Sequence, residues 1–388
     1  MIFEIQGVDF INKGGELMTH AVVQHFADLE PGSRVAAHLR MGTFDQREKT
    51  GLYHLSWAYT EKAPQLGHLI NACATLIPQQ LCHSLKLIRI QEVDAVLDAS
   101  GFTYSDQQGA AMIEIMAKRL KLRKQEGKKV ILLPQAFGPF KNQRVKKAFL
   151  EILENSDLVF ARDRVSYEYL QNIKDLLSKC PSIKKAPDFT NLVKGKVPEY
   201  FKPESSKRKG CIVPNYRMVQ RTSSEVKEKY LDFLQICAKY LIEKDIEPFI
   251  LIHETRTDYD LALKLQAEIG QSLQIIQEAS PLYIKGILGN SFLVIGSRFH
   301  SLVSTLSQCV PCLGTGWSHK YEMLFDDYDC PECLISPVES EEKVHKTLDR
   351  LIEEPDRSNL MNRLHIASQE QKRLTTQMWE EVDQFLQV

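Results

Sequence analysis

Residues 292–300 read Phe-Leu-Val-Ile-Gly-Ser-Arg-Phe-His. The apolar run Phe292–Ile295 stops at Gly296, and an arginine and a histidine follow two residues apart. A short apolar run bounded by glycine predicts a buried strand. Ligands of open α/β sheets collect at the carboxyl ends of strands, so Arg298 and His300 stand where chemistry usually sits. Arginine offers a fixed fork for a carboxylate or phosphate, and histidine can move a proton near neutral pH. An anion holder beside a proton carrier points to transfer chemistry on an anionic substrate. The same two residues also fit a helix-capping arginine and a satisfied core histidine.

Outward from this stretch the chain alternates strand and helix. Met1–Ile5 has strand-like alternation, and further strands are expected at Val35–His38, Ala95–Asp98, Val130–Pro134 and Leu158–Ala161. A second set is expected at Cys211–Pro214, Pro248–His253, Phe292–Ile295 and Pro311–Gly314. Helix-period stretches lie between them: Glu16–Ala27, Gly109–Glu126, Val145–Glu154, Ser166–Ile173, Ser224–Glu243 and Tyr259–Gln271. Such alternation predicts parallel sheets with crossover helices, the doubly wound class. The polar stretch Lys194–Gly210 holds Lys194, Lys196, Lys202, Lys207, Arg208 and Lys209 with Pro198 and Pro203, and reads as a linker. The expected organisation is therefore a Rossmann-like domain over 1–197, a second over 209–345, and charged helices over 346–388 packing back on the first. Two α/β halves of this kind facing a cleft describe a GT-B-like architecture.

Composition sets the frame. A chain of 388 residues is too long for one ordinary core, so two domains are expected. Its 43% hydrophobic and 26% charged content is that of a globular protein, and nothing in a net charge of -1 points to a bulk nucleic-acid binder. There is no charged segment followed by an apolar one at the amino terminus, and no window approaches the roughly 18 apolar residues of a membrane span. The expectation is a cytoplasmic protein whose nine cysteines are mostly reduced. Cys309-Val-Pro-Cys312 and Cys330-Pro-Glu-Cys333 have zinc-ribbon spacing. However, Cys312 falls inside an expected strand, where a thiol acts as a small hydrophobe; Cys330 and Cys333 flank a proline in a loop and are the better ligand pair. No Asp or Glu pair at ligand spacing stands out near the expected site, and no catalytic metal is expected.

Between Lys118 and Lys147 there are eleven basic residues: Lys118, Arg119, Lys121, Arg123, Lys124, Lys128, Lys129, Lys141, Arg144, Lys146 and Lys147. The one acid among them is Glu126. The stretch reads either as a solvated helix and loop or as a peripheral contact with an anionic membrane surface.

An ordered set of motifs carries a family resemblance. They are Asn12-Lys13-Gly14-Gly15-Glu16-Leu17-Met18, Asp98-Ala99-Ser100-Gly101-Phe102 and Leu133-Pro134-Gln135-Ala136-Phe137-Gly138-Pro139. Ala161-Arg162-Asp163-Arg164-Val165-Ser166 and Ser297-Arg298-Phe299-His300 follow, then Gly314 and Lys320. In order and spacing, over about residues 10 to 325, the chain resembles the polysaccharide pyruvyl transferase family. It departs from the family at Ser100, in place of a glycine, and at Cys309, where a glycine often precedes Val-Pro.

The resemblance implies transfer of the enolpyruvyl unit of phosphoenolpyruvate onto two hydroxyls of a sugar, forming a cyclic ketal and releasing phosphate. The acceptor implied is a sugar or lipid-linked oligosaccharide, with phosphoenolpyruvate as donor and no cofactor. The donor carries a carboxylate and a phosphate and calls for two cationic forks: Arg298 for one, Arg162 or Arg164 for the other. His300 is the implied acid that protonates the enol carbon. Lys320 fits a phosphate point charge or a solvated lysine. Gly14, Gly15, Ser100 and Gly101 are expected to line the first-domain side of the cleft, which the resemblance makes the acceptor side with the second domain the donor side, and Asp163 is expected to cap a helix. Asn215 and Arg217, at the end of another strand, are expected to face the cleft, and the segment His253–Arg256 reads as acceptor-side or structural. Two other classes stay open: a GT-B glycosyltransferase using a nucleotide sugar, and a non-catalytic GT-B-like interaction protein. The first needs a strand-end acid for a ribose and a base-stacking pocket, neither of which is evident. The second has no use for a proton donor between two cations.

Overall fold

The computed structural model describes residues 1–56, 77–201, 208–254, 256–270 and 273–388. Lys202, Pro203 and Lys207 of the linker stretch, together with Thr255 and Gln271, lie outside the described residues. The chain divides into two compact units. The first comprises Met1–Ile11, Met18–Phe189 and Thr376–Val388; the second comprises Asn12–Leu17 and Thr190–Thr375.

The first unit is built on β1 (Ile2–Gln6), β2 (Arg34–His38), β3 (Tyr53–Leu55), β4 (Leu87–Ile88), β5 (Ala95–Asp98), β6 (Lys129–Gln135), β7 (Leu158–Ala161) and β8 (Ser182–Lys185). They form one parallel sheet in the order β4-β3-β2-β1-β5-β6-β7-β8. The second unit carries β9 (Lys209–Val213), β10 (Glu247–Ile252), β11 (Gln274–Gln277), β12 (Leu293–Gly296) and β13 (Cys312–Gly314). Their order is β11-β10-β9-β12-β13, again parallel throughout. In each sheet the first strand lies inside, and the order reverses beside it, at β1/β5 and at β9/β12. Ligands of open α/β sheets bind at such switch points.

The central strands were legible because burial on both faces demands a continuous apolar run. β5 and β12 are buried along their whole length. The strands that sequence reading missed are β3, β4, β8 and β11. Three of them are sheet edges and β3 neighbours one. β8 reads Ser-Ile-Lys-Lys and buries neither end, so no hydrophobic pattern announces it.

Helix starts follow local chemistry. Asp163 accepts from the backbone N–H of Ser166 at 2.7 Å and caps Arg164–Gln171, as its sequence position suggested. Asn142 caps Gln143–Glu154 and Ser223 caps Ser224–Glu243. Each such cap is worth about 1 kcal/mol. The charged tail is shared between the units. Leu348, Leu351, Leu360 and Leu364 join the second unit's core with Ile212, Leu251, Val294 and Leu313. Trp379 lies in the first unit, where its ring stacks on His25 at 4.1 Å and meets Phe26 edge-on.

The basic run 118–147 is not a bare cationic face. Lys121 pairs with Glu151, Lys124 with Asp157, Arg144 with Glu114, and the fully buried Arg123 with Glu4 and Glu126. Lys128 and Lys129 donate to backbone carbonyls of Gln91, Phe385 and Leu386. These charges tie the first unit together. No described helix is long and apolar enough to cross a membrane.

Candidate functional site

The switch point of the second sheet gathers the strand-end residues of β9, β10 and β12. Asn215 follows β9 and is buried. Its side-chain amide donates to the carbonyl of Ser297 at 2.5 Å, its oxygen accepts from the N–H of Arg217 at 2.9 Å, and its own N–H donates to the Tyr230 hydroxyl at 3.0 Å. The Tyr230 hydroxyl also bonds the Ser297 hydroxyl, and the Tyr321 hydroxyl donates to the Ser297 carbonyl at 3.1 Å. Asn215 is therefore a brace that fixes the backbone just before Arg298. Arg217 points to solvent, where its guanidinium meets Gln220.

Arg298 is buried, and its fork is filled by protein carboxylates. Nη2 lies 2.7 and 2.6 Å from the two oxygens of Asp258, Nε is 3.1 Å from Oδ2, and Nη1 meets Glu254. Asp258 also accepts from the N–H of Tyr216 at 2.9 Å. Sequence reading left this fork open for a substrate anion and saw no carboxylate pair here; Glu254 and Asp258 are that pair, and they converge on Arg298. Glu254 precedes the helix Arg256–Ile269 and Asp258 lies in its first turn. Burial draws the Arg298 guanidinium down to about 10, which leaves it cationic at neutral pH.

His300 is the second residue of the helix Phe299–Leu306, for which Arg298 is the N-cap position. Phe299 meets its ring edge-on at 5.5 Å. The first turn of Lys13–Leu29 packs against it: a β-carbon on Gly14 would lie 2.1 Å from His300 Nδ1. The Gly14 position thus exists to admit the imidazole, and Gly14 and Gly15 belong with the second unit rather than on the first-domain side. Lys13 and Glu16, from the same turn, pair at 2.7 Å. Burial raises the Glu16 carboxyl above the ordinary range, with Lys13 opposing. His253, after β10, is buried and held well below the usual imidazole value, first by burial and then by Arg298, His300 and Lys13. It is neutral at physiological pH. Lys13, His253, Arg298 and His300 therefore form one electrostatic cluster. Lys13, Glu16 and Asp258 were missed, because only tertiary packing brings them here.

Lys320 is neither solvated nor bare. It is buried, with its ammonium 4.9 Å from the ring centroid of Trp317, 5.0 Å from Phe299 and 5.4 Å from Tyr321. The ring quadrupoles attract the ammonium.

Ser100, Gly101, Arg162 and Arg164 belong to the first unit. Gly101 sits at φ 69°, a conformation that favours glycine, directly after Ser100. The Ser100 N–H donates to Asp98 at 3.1 Å, and Asp98 also takes Tyr104 at 2.7 Å and Gln135 at 3.2 Å. Burial pushes the Asp98 carboxyl up. Arg162 is buried and bonds Asp188 at 3.0 Å, whereas Arg164 is exposed and bonds Glu168 at 2.8 Å one helical turn away. Arg164 is thus a helix-surface pair, and of the two arginines named for the second cationic fork only Arg162 is buried.

Cys312 is buried in β13, and Cys330 and Cys333 are buried around the turn Pro331–Cys333. Cys309 is half-buried, its Sγ 3.8 Å from the Leu364 carbonyl. All four are free thiols, and among the described residues no three His, Cys, Asp or Glu side chains gather at metal-holding geometry.

No curated protein sequence matches the chain. Among solved structures it is similar to Anabaena Alr3699/HepE in complex with UDP-glucose, over 99% of each chain with 12% identity and a TM-score of 0.60. It is also similar to UDP-GlcNAc 2-epimerase from Neisseria meningitidis bound to UDP-GlcNAc, over 97% of this chain and 99% of that one, at 10% identity and a TM-score of 0.58. A third, S. aureus MnaA with UDP, covers 94% of this chain and 90% of that one at 12% identity and a TM-score of 0.54. Likeness at this identity is likeness of fold, and the fold is GT-B-like: two Rossmann-like parallel-sheet α/β units. The sequence profile for polysaccharide pyruvyl transferases matches residues 12–319, from the glycine turn that receives His300 to the loop just before Lys320. That span includes every residue of the cluster around Arg298 and His300, and the chain belongs to the polysaccharide pyruvyl transferase family.

Proposed function

We propose that this protein transfers the enolpyruvyl unit of phosphoenolpyruvate to a sugar of a polysaccharide or of its lipid-linked precursor, forming a pyruvate ketal. The observation that carries the reading is the cluster of His300 with Lys13, His253 and Arg298 at the β9/β12 switch point. It joins a proton carrier to cations that suit a donor bearing a carboxylate and a phosphate.

In this reading Arg298 and Lys13 exchange part of their carboxylate pairing for the donor's anionic groups. His300 delivers a proton to the terminal enol carbon, and positive charge develops at the neighbouring carbon. A sugar hydroxyl adds there. The bond to the phosphate oxygen breaks, and a second hydroxyl of the same sugar closes the ketal. Of the two hydroxyl protons, one replaces that given up by His300 and the other leaves with phosphate. The neutral His253 beside His300 adds no further charge. Activation by protonation needs no cofactor.

The test is His300→Gln. Phosphoenolpyruvate binding should persist, while turnover falls by about a hundred- to ten-thousand-fold. In heavy water the wild-type product should carry deuterium in the ketal methyl group. Near-normal turnover of His300→Gln would move the acid role to another group. Stabilisation by UDP-sugars and none by phosphoenolpyruvate would overturn the reading in favour of a nucleotide-sugar enzyme.

A further inference from the structure

A cavity of about 660 Å³ lies in the second unit, beyond the cluster around His300. That volume falls within the roughly 300–1,000 Å³ of small-molecule sites. Trp317 and Tyr321 line it, their ring centroids 6.2 Å apart and tilted by 57°. Glu322 and Asp326, one turn apart on His319–Asp327, are exposed and stand among its lining residues. Ser318 contributes a hydroxyl with no hydrogen-bond partner among the described residues.

The charge balance argues against an anionic occupant. Arg221 is the one arginine or lysine among the described residues of the lining, against the two carboxylates of Glu322 and Asp326. The nearby helix start at Ser224 is already capped, since Ser223 Oγ accepts from the N–H of Val226 at 3.4 Å. A neutral polyhydroxylated ring suits this lining better. The half-buried Trp317 ring can cover the C–H side of a sugar, and the exposed carboxylates of Glu322 and Asp326 accept from its hydroxyls.

Two wall residues of the cavity also touch groups of the proposed reaction centre. The two rings that line it are two of the three around Lys320. The Tyr321 hydroxyl holds the carbonyl of Ser297, immediately before Arg298. We propose that this cavity is the acceptor subsite and takes a neutral hexopyranoside. That the bound sugar is the acceptor rests on the pyruvyl-transfer reading; that the cavity binds sugar does not.

Saturation-transfer NMR with the methyl glycosides of glucose, galactose, mannose and N-acetylglucosamine tests the site without donor or turnover. At least one glycoside should bind. Trp317→Ala should weaken it by about tenfold. Glu322→Gln, an exposed change that leaves the core intact, should weaken it by about threefold. Phosphoenolpyruvate binding should be unchanged in Glu322→Gln. Binding of none of the four glycosides, or equal binding by wild type and Glu322→Gln, would overturn the proposal. Displacement of the bound glycoside by UDP would overturn it as well, in favour of a nucleoside diphosphate site. Glycoside binding that depends on Trp317 and Glu322, in a protein that neither binds nor uses phosphoenolpyruvate, would uphold the sugar site and sink the pyruvyl-transfer reading alone.

Discussion

Arg298 and Asp258 meet fork to fork inside the second unit, with Nη2 2.7 Å from Oδ1 and Nε 3.1 Å from Oδ2. The pair joins the end of β12 to the first turn of Arg256–Ile269. It holds the guanidinium at the start of the helix that carries His300. A buried arginine would otherwise bear a large desolvation cost, and the carboxylate offsets it.

Asp258→Asn should therefore destabilise the protein by about 3 kcal/mol, because it leaves buried positive charge short of a counter-ion. Chemical denaturation measures this. A loss below about 1 kcal/mol would show that Glu254 alone suffices for Arg298.

Glu254 shares Arg298 with Asp258 and occupies Nη1. Under the proposed function it competes with the donor for that edge. Glu254→Gln should tighten phosphoenolpyruvate binding several-fold, by removing a negative charge while Asp258 still anchors the arginine. Calorimetric titration of both forms decides it; weaker binding in the variant would mean that Glu254 orients Arg298 instead of opposing the donor.

Gly14→Ala would place a β-carbon 2.1 Å from His300 Nδ1. The ring or the helix turn must shift, at a cost of about 1–3 kcal/mol. In a His300→Ala background the obstacle is gone and the cost of Gly14→Ala should largely vanish. Unfolding free energies of the four proteins in this cycle measure the coupling. Additive losses would place the strain elsewhere.

His38, at the end of β2, is pushed down to about 4, mainly by burial and next by Arg119. Its unfolded value is near the ordinary 6.5 of free histidine. Between these values the unfolded chain binds the proton and the folded one does not, so stability falls as pH drops through this window. The loss is of the order of 3 kcal/mol by pH 4. His253 acts in the same direction below about pH 6.5, its value being held down by burial. Unfolding of His38→Gln across pH 4 to 7 should show a shallower slope than wild type. An unchanged slope would assign the acid sensitivity to other groups.

Both sheets were foreseeable where their strands lie inside. Ala95–Asp98 and Leu158–Ala161 came out with the expected bounds, and Leu293–Gly296 shifted by one residue. A strand covered on both faces must be apolar throughout, and that is a local property of sequence. Of the edge strands, Leu87–Ile88 is two residues long, too short to show a pattern, and Ser182–Lys185 buries neither end and is free to be polar.

The residue types at the candidate site were legible for a related reason. Arg298 and His300 follow a buried strand directly, so their address in a doubly wound sheet is set by chain order. Their partners are not local. Asp258 is forty positions from Arg298, and Gly14 meets His300 across most of the chain. Reading motifs one at a time left three arginines as open forks. Each proved to hold a carboxylate, two of them buried, where an arginine without a counter-ion is costly to desolvate. The alternation of strand and helix, the two α/β units and the strand-end position of Arg298 and His300 thus follow from hydrophobic pattern and motif spacing alone. Which charges are already paired, that Gly14 makes room for an imidazole, and that three aromatic rings enclose Lys320 were decided by tertiary packing, because pairing and desolvation depend on neighbours remote in the chain.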